Sequence, residues 1–493
     1  RRLVRHRAAP EHPAGGAGGS GAPGASHPGG LCGEKPPYLP GGEGAGADEG
    51  DRRGGQGRDL RVTGKGKEME SYVLANARIV SPADGLDMEG SVRVADGKIA
   101  SIGLLPEIQP EDTVIDAKGK VLMPGFVDMH VHLRDPGFTY KEDILTGCEA
   151  AAAGGVTSVA CMPNTKPAID SPEVIRYILE KAEKAKAHVY PVGAITYGLE
   201  GKELTDMAAL KAAGAVAVSD DGKPVPTARM MKEAMEQAEE AGLLTISHCE
   251  DLDLIHGGIV HLGSVSKELG LPGMDRASED SITAREISLA ESAGTRIHIA
   301  HVSTAGAAAQ IRTAKARGVK VTCETAPHYF LLTHELIRKL DADYRMNPPL
   351  REEADVDAIR EAVLDGTIGC IVTDHAPHAA EEKADFHKAP NGVVGLETSF
   401  AASYTGLVKT GLLSFSRLVE LMSVNPARIL GIPSGHIRVG DPADLTLADL
   451  EKSWVVEPEK LHSKSKNTVF KGMELTGKVV CTLCGGRIVY RCF

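Results

Sequence analysis

Val121 to Asp135 reads VLMPGFVDMHVHLRD, an apolar run that ends in a His-x-His pair. In an extended strand alternate side chains share a face, which puts Asp128, His130 and His132 on one side and leaves Phe126, Val127, Met129 and Val131 as packing. Taken alone, a His-x-His is most simply two core histidines satisfied by backbone partners. Here the flanking sequence is apolar, so the imidazoles face a buried interior, and a divalent metal can satisfy both at once. The other ligands must then come from elsewhere in the chain.

Downstream of this strand one pattern repeats: an Ala-rich helical stretch, a Gly, then a short β-rich run. It occurs as AAAAGG before VTSVACM, KAAG before AVAVSD, EEAG before LLTISH, ESAG before TRIHIAH, KARG before VKVTCE and VLDG before TIGCIVTD. Gly after an Ala-, Glu- and Lys-rich helix is the expected C-terminal cap, and each cap hands the chain back to a strand. With the opening strand and AHVYPVGAIT at 187–196 the count is eight, separated by helical segments such as PEVIRYILEKAEKAKA and MKEAMEQAEEAG. The class is therefore α/β, a (β/α)8 TIM-like barrel. A doubly wound open sheet is the alternative, but no G-x-G-x-x-G turn follows the first strand.

Chemistry in such a barrel sits where the strands end. Those ends carry His130 and His132, then Asp220 and Asp221, His248, His301 and Asp374, all metal-ligand types. Each alone reads equally well as a satisfied core residue; together they read as a metal site. His298, with the opposite parity to His301, is expected to face the helices. Four histidines and two carboxylates exceed what one zinc needs and suit two metals sharing a carboxylate and a hydroxide. Two divalent ions bring four positive charges against three from two carboxylates and a hydroxide, so the site stays net positive and able to polarise a carbonyl.

The flanks differ from the barrel. From Tyr72 to Val121 short β runs alternate with turns at Asp96-Gly97 and Gly119, and DPADLTLADL and GKVVCTLCGGRIVY, with a Gly485-Gly486 turn, have the same style. They are expected to meet in one small β-sandwich domain, giving 69–121 and 428–493 as its two parts and 122–427 as the barrel. Residues 1–68, rich in Gly, Ala, Pro and charge, lack the apolar residues to offset ordering entropy and are expected to be disordered. Met69, the first Met, stands directly before the first strand, so the functional protein is expected to begin there.

Over 493 residues the formal charge is -12, which argues against nucleic acid or an anionic membrane as partner, while leaving an anionic small substrate possible at a local cation. The chain has no run of 18 apolar residues, so no membrane-spanning helix is expected. Nine Cys without a disulfide-like framework point to a reducing, cytoplasmic home, and the C-x-x-C at Cys481 and Cys484 reads as strand cysteines because no second pair completes a zinc site.

PGFVDMHVHLRDPG, SDDG at 219–222, SHCED, HIAHVST, MNPPLR, IVTDHAPH and APNGVVGLET together resemble the bacterial dihydroorotases of the amidohydrolase superfamily, over essentially residues 69–493. The resemblance implies zinc-dependent, reversible hydrolysis of (S)-dihydroorotate to N-carbamoyl-L-aspartate in pyrimidine biosynthesis. It implies two zinc ions, one on His130, His132 and Asp374, the second on His248 and His301, with Asp221 bridging where many relatives carry a carbamylated lysine. Asp221 rather than Asp220 follows from the family's spacing before SHCED.

A bridging hydroxide is then expected to attack the ring amide carbonyl, with Asp374 as general acid/base. Arg134, two residues beyond the His-x-His, offers a bidentate fork to the substrate carboxylate. His132, Asn164, Asn347, His378, Asn391 and Gly392 match the family's remaining substrate contacts, although Asn164 and Asn347, each beside a Pro, also read as turn residues. The polar segment HAAEEKADFHKAP, 378–390, reads as a lid over the site. Hydantoinases, dihydropyrimidinases and allantoinases are the rival enzymes, but they carry the lysine and lack HLRDPG. A non-catalytic supporter of aspartate transcarbamoylase is the rival outside catalysis, and all six ligands stand against it. Association with that enzyme, and a homo-oligomer, are compatible with the resemblance.

Overall fold

The computed structural model describes residues 70–104 and 108–493, so the expectations for 1–68 and for a start at Met69 lie outside the described residues. Eight strands form one parallel sheet in chain order: β6 (Phe126–Val131), β7 (Val156–Cys161), β8 (His188–Ala194), β9 (Ala217–Ser219), β10 (Leu244–Ser247), β13 (Ile297–Ile299), β14 (Val321–Thr325) and β15 (Cys370–Ile371). A parallel bridge from Val131 to His375, with His132 N donating to His375 O at 2.8 Å, brings the last strand's end back to the first. These are the eight strands read from the sequence, nearly closed into a barrel. A two-stranded ribbon, β11 (Val260–His261) and β12 (Gly273–Met274), projects from the loop after β10.

Helices cover the barrel because their starts and ends are written locally. Asp143 caps the helix Ile144–Ala153 by accepting from Leu145 N and Thr146 N, and Thr304 caps Ala305–Ala316 through Ala307 N. The helix Pro172–Ala182 starts on its Pro and turns Val174, Ile175 and Ile178 into the core. At the other ends Gly155, Gly214, Gly242, Gly294, Gly318 and Gly366 all take positive φ, between +70° and +117°, the left-handed turn that returns the chain to a strand.

The flanks fold together. β1 (Tyr72–Ser81), β2 (Leu86–Ala95), β3 (Lys98–Gly103), β4 (Thr113–Asp116) and β5 (Val121–Pro124) join β16 (Leu445–Val455), β17 (Glu474–Cys484) and β18 (Arg487–Arg491) in one continuous mixed sheet. β5 supplies the seam, parallel to β1 and antiparallel to β16. Leu74, Ile79 and Val92 from one flank share an apolar cluster with Leu445, Leu447 and Leu483 from the other. The hairpin turns at Asp96-Gly97 and Gly485-Gly486 form as read, each with both central residues at positive φ.

Two expectations about side-chain direction fail for one reason, that strand alternation breaks near the catalytic end. In β6 the register slips by one residue between Asp128 and Val131. Val127 and Met129 therefore pack inside the barrel with Ala160, Met162 and Ile246, and His130 turns inward above them. Asp128 does not share that face; its Oδ1 accepts from His130 N at 3.1 Å and Thr373 N at 3.3 Å, tying the first strand to the last. In β13, Ile297 and Ile299 face the helices, so His298 points inward. His301 reaches the same interior because its φ is +31°, outside the strand's alternation.

Candidate metal centre and active site

Six side chains converge at the C-terminal mouth of the barrel. His130 is the penultimate residue of β6 and His132 directly follows the strand; Asp221 lies just past β9, His248 directly after β10, His301 past β13 and Asp374 past β15. All are buried, none more than 6% exposed. Arg134, His301 and Asp374 are three of the eight non-glycine residues with positive φ among the described residues, at +59°, +31° and +48°. Strain of this kind persists only where surrounding structure fixes it, and here it concentrates in one site.

The donor atoms form two groups that share one residue. Ligand atoms of His130, His132 and Asp221 lie within 4.8 Å of one another, as do those of Asp221, His248 and His301. Asp221 Oδ1 is 3.4 Å from His130 Nε2, 3.7 Å from His248 Nδ1 and 3.8 Å from His301 Nε2, while Oδ2 is 3.6 Å from His132 Nε2. Asp374 Oδ1 is 3.1 Å from His132 Nε2 and 3.6 Å from His130 Nε2. Burial would raise the Asp221 carboxyl, yet the facing imidazoles, His130 first and then His301 and His132, hold it well below the usual carboxylate range.

These residues fit a pair of divalent cations. His130 Nε2 and Asp221 Oδ1 are buried without a hydrogen-bond partner, a costly state unless something positive lies between them. His248 Nδ1 and His301 Nε2 stand 2.7 Å apart, where two lone pairs repel unless a proton or cation intervenes. Neutral nitrogen and carboxylate oxygen suit Zn, Mn or Co. Asp220 stays outside this group: its carboxylate accepts from Ile195 N at 2.8 Å and Thr196 N at 3.0 Å and braces the loop after β8.

An outer layer holds the donors in place. Glu324, inside β14, places Oε1 2.6 Å from His130 Nδ1 and Oε2 3.1 Å from His298 Nε2. Asn164 accepts from His132 Nδ1–H at 2.8 Å through Oδ1 and donates from Nδ2 to Asp221 Oδ2 at 3.3 Å. Glu250 Oε2 is 3.2 Å from His248 Nε2, and Asn347 donates to Glu250 Oε1 at 2.6 Å. The sequence assigns no role to Glu324 or Glu250; a carboxylate inside the otherwise uncharged VTCET strand is the available signal for the first.

Across the mouth, Arg134 Nε donates to Pro377 O at 3.1 Å and Nη2 lies 3.3 Å from His378 Nε2. Burial pushes the guanidinium down to about 10, still charged at neutral pH. Burial, with Arg134, Lys141 and Lys383 nearby, pushes the His378 imidazole down to about 2, so it is neutral. Lys141 Nζ is 3.3 Å from His378 Nδ1, which makes Nδ1 the acceptor and leaves Nε2–H to donate to Asn391 O at 2.9 Å. The loop expected as a lid is pinned: Lys383 Nζ donates to Arg345 O, Pro390 O and Gly392 O at 3.2, 3.0 and 3.0 Å, and Lys141 pairs with Glu382 at 2.8 Å. At Gly392, φ is +139° and a Cβ would meet Ala376 Cβ at 2.7 Å and His378 Nε2 at 3.0 Å, so only glycine fits against His378.

A model of the family described as Dihydro-orotase-like matches residues 119–307. A dihydroorotase of Citrifermentans bemidjiense is 51% identical over 426 residues, covering 85% of this chain and 100% of that protein. The chain belongs to the dihydroorotase family. A second dihydroorotase, from Syntrophus aciditrophicus, is 51% identical over 422 residues, 85% of this chain and 99% of its own length. Among solved structures, L-hydantoinase (dihydropyrimidinase) from Arthrobacter aurescens superposes with a TM-score of 0.77 at 28% identity, covering 86% of this chain and 96% of its own. Dihydropyrimidinase from Brevibacillus agri gives 0.75 at 26%, with 85% and 95% covered. The dihydroorotase and hydantoinase barrels thus share a fold, and sequence identity places the chain with the former. Its activity is that of a dihydroorotase, a metal-dependent cyclic amidohydrolase. No helix among its described residues is long and apolar enough to cross a membrane.

Proposed function

We propose that this dihydroorotase interconverts (S)-dihydroorotate and N-carbamoyl-L-aspartate with two zinc ions per chain, held by His130, His132, Asp221, His248, His301 and Asp374. The observation that carries the reading is the Asp221 carboxylate, common to both donor groups. Two cations there supply Lewis acidity toward the ring amide carbonyl and lower the pKa of the attacking water.

The chain's own residues do the rest. Asp374, whose carboxyl is kept ionised by His132 and His130 against the opposing effect of burial, takes the proton from the attacking water and delivers it to the leaving ring nitrogen. In the biosynthetic direction it takes the proton from the ureido nitrogen. Arg134, fixed through Pro377 O, presents its remaining N–H groups to the substrate carboxylate. His132, Asn164 and Asn347 flank the ring, and the neutral His378 orients the Asn391-Gly392 backbone along its amide edge. We place the barrel at 122–427 between the two parts of the small β domain at 69–121 and 428–493. A cytoplasmic home is supported by the eight described cysteines, all unpaired.

The test is metal content and turnover on the purified full chain without added bicarbonate. Close to two metals per chain with hydrolysis of dihydroorotate, and none of dihydrouracil, which lacks the carboxylate, is expected. A requirement for bicarbonate would remove Asp221 as the bridge, and turnover of dihydrouracil would move the substrate to that of the hydantoinases.

A further inference from the structure

At the opposite, N-terminal end of the barrel a second set of donors converges. His188 opens β8, Asp444 immediately precedes β16, and Cys484 closes β17. A ring nitrogen of His188, a carboxylate oxygen of Asp444 and Cys484 Sγ lie within 4.8 Å of one another. We propose that His188, Asp444 and Cys484 form a separate site for a thiophilic divalent cation of the zinc type, independent of the catalytic centre.

Donor chemistry, burial and charge all support it. Nitrogen, oxygen and sulfur in one cluster is a zinc donor set, and thiolate selects zinc over magnesium or calcium. Asp444 and Cys484 are buried, at 8% and 5% exposure, whereas the His188 side chain is 41% exposed, leaving one side open for a water as fourth ligand. Asp444 is held in place by Gly485 N, which donates to Oδ1 at 2.7 Å from the Gly485-Gly486 turn. His188 Nε2 stands 3.1 Å from both Asp444 oxygens, so the pair already points at one spot.

A divalent cation bound at that spot replaces any proton on the imidazole nitrogen and on Sγ, so its uptake is coupled to proton release. A third cluster, His261, His334 and Glu352, converges as closely, but cations occupy its surroundings. Arg351 Nη1 donates to His261 Nδ1 at 3.2 Å and Arg276 Nη2 to Glu352 at 3.0 Å. No such guanidinium contacts the carboxylate of Asp444 among the described residues. A cation on His188, Asp444 and Cys484 joins the start of a barrel strand to two strands of the small sheet.

Cobalt substitution tests this, because the catalytic donors are nitrogen and oxygen only and cannot give a sulfur-to-cobalt charge-transfer band. The full-length enzyme loaded with Co2+ is expected to show that near-ultraviolet band and one cobalt more per chain than Cys484→Ser, which loses the band and keeps its turnover of dihydroorotate. His188→Asn, a change at a half-exposed position, is the second variant and is expected to weaken cobalt binding at this site by about tenfold or more, the order of losing an element of a metal site. Absence of the band at saturating Co2+, or its persistence in Cys484→Ser through another thiol such as Cys249, overturns the proposal.

Discussion

Glu324 Oε1 lies 2.6 Å from His130 Nδ1, and neither side chain has any exposure to solvent. An ionised carboxylate at that distance fixes the proton on Nδ1 and directs the Nε2 lone pair, which is left without a protein partner, toward Asp221. Burial opposes ionisation of Glu324, but His130 and then His298 hold its carboxyl well below the usual range. Glu324→Gln offers an amide that can donate to Nδ1 and invert the tautomer. Metal affinity is expected to fall about 10- to 100-fold, with turnover restored by excess metal. A titration in zinc buffers checks it, and unchanged affinity would remove Glu324 from this role.

The barrel was legible because its signals are local: six helix-ending glycines each mark where a strand begins, and all six take the left-handed turn. The convergence of His130, His132, Asp221, His248, His301 and Asp374 was legible because they stand at strand ends, where the fold puts chemistry. Glu324 was not, since its partner is 194 residues away and no spacing joins them. Parity failed at Asp128 and His298 for a related reason. A one-residue slip in β6 and a positive φ at His301 reverse the facing of side chains, and both are set by neighbouring strands.

Asp374 sits 3.1 Å from His132 Nε2 with φ at +48°, a conformation Asn also tolerates. Asp374→Asn therefore keeps the geometry and one oxygen donor toward the metal, and removes the proton acceptor. Turnover in both directions is expected to drop by about 10²- to 10⁴-fold while metal content holds. Rates near those of the unmodified enzyme would leave the proton to another group.

Arg134 uses Nε to hold Pro377 O, which leaves its two Nη groups, one of them beside His378 Nε2, to meet a carboxylate. Lysine cannot hold the loop and the ligand together. Loss of one charge-assisted pair, about 1.5–3 kcal/mol, is expected to raise the Michaelis constant of Arg134→Lys for dihydroorotate by about 10- to 100-fold. Metal content should not change. Steady-state kinetics with metal analysis decides it, and an unaltered Michaelis constant counts against Arg134 as the carboxylate's partner.

His261 gives the pH dependence a sign. It is 1% exposed, and burial, followed by the charge of Arg351, pushes its imidazole from the usual 6.5 down to about 3. Between those values the unfolded chain binds a proton that the folded chain refuses. The unfolded state then holds more protons, and stability is lost as pH falls through that window. Arg351 Nη1 donates to Nδ1 at 3.2 Å, a bond the side-chain oxygen of glutamine can accept. His261→Gln removes one titrating group while keeping a partner for Arg351. Between pH 6 and pH 4 the slope of unfolding free energy against pH is expected to be shallower than in the unmodified chain by about 1.4 kcal/mol per pH unit. Urea midpoints across that range, measured on both proteins after chelation so that metal release does not contribute, check it. Parallel slopes would mean that His261 protonates in the folded state as readily as in the unfolded one.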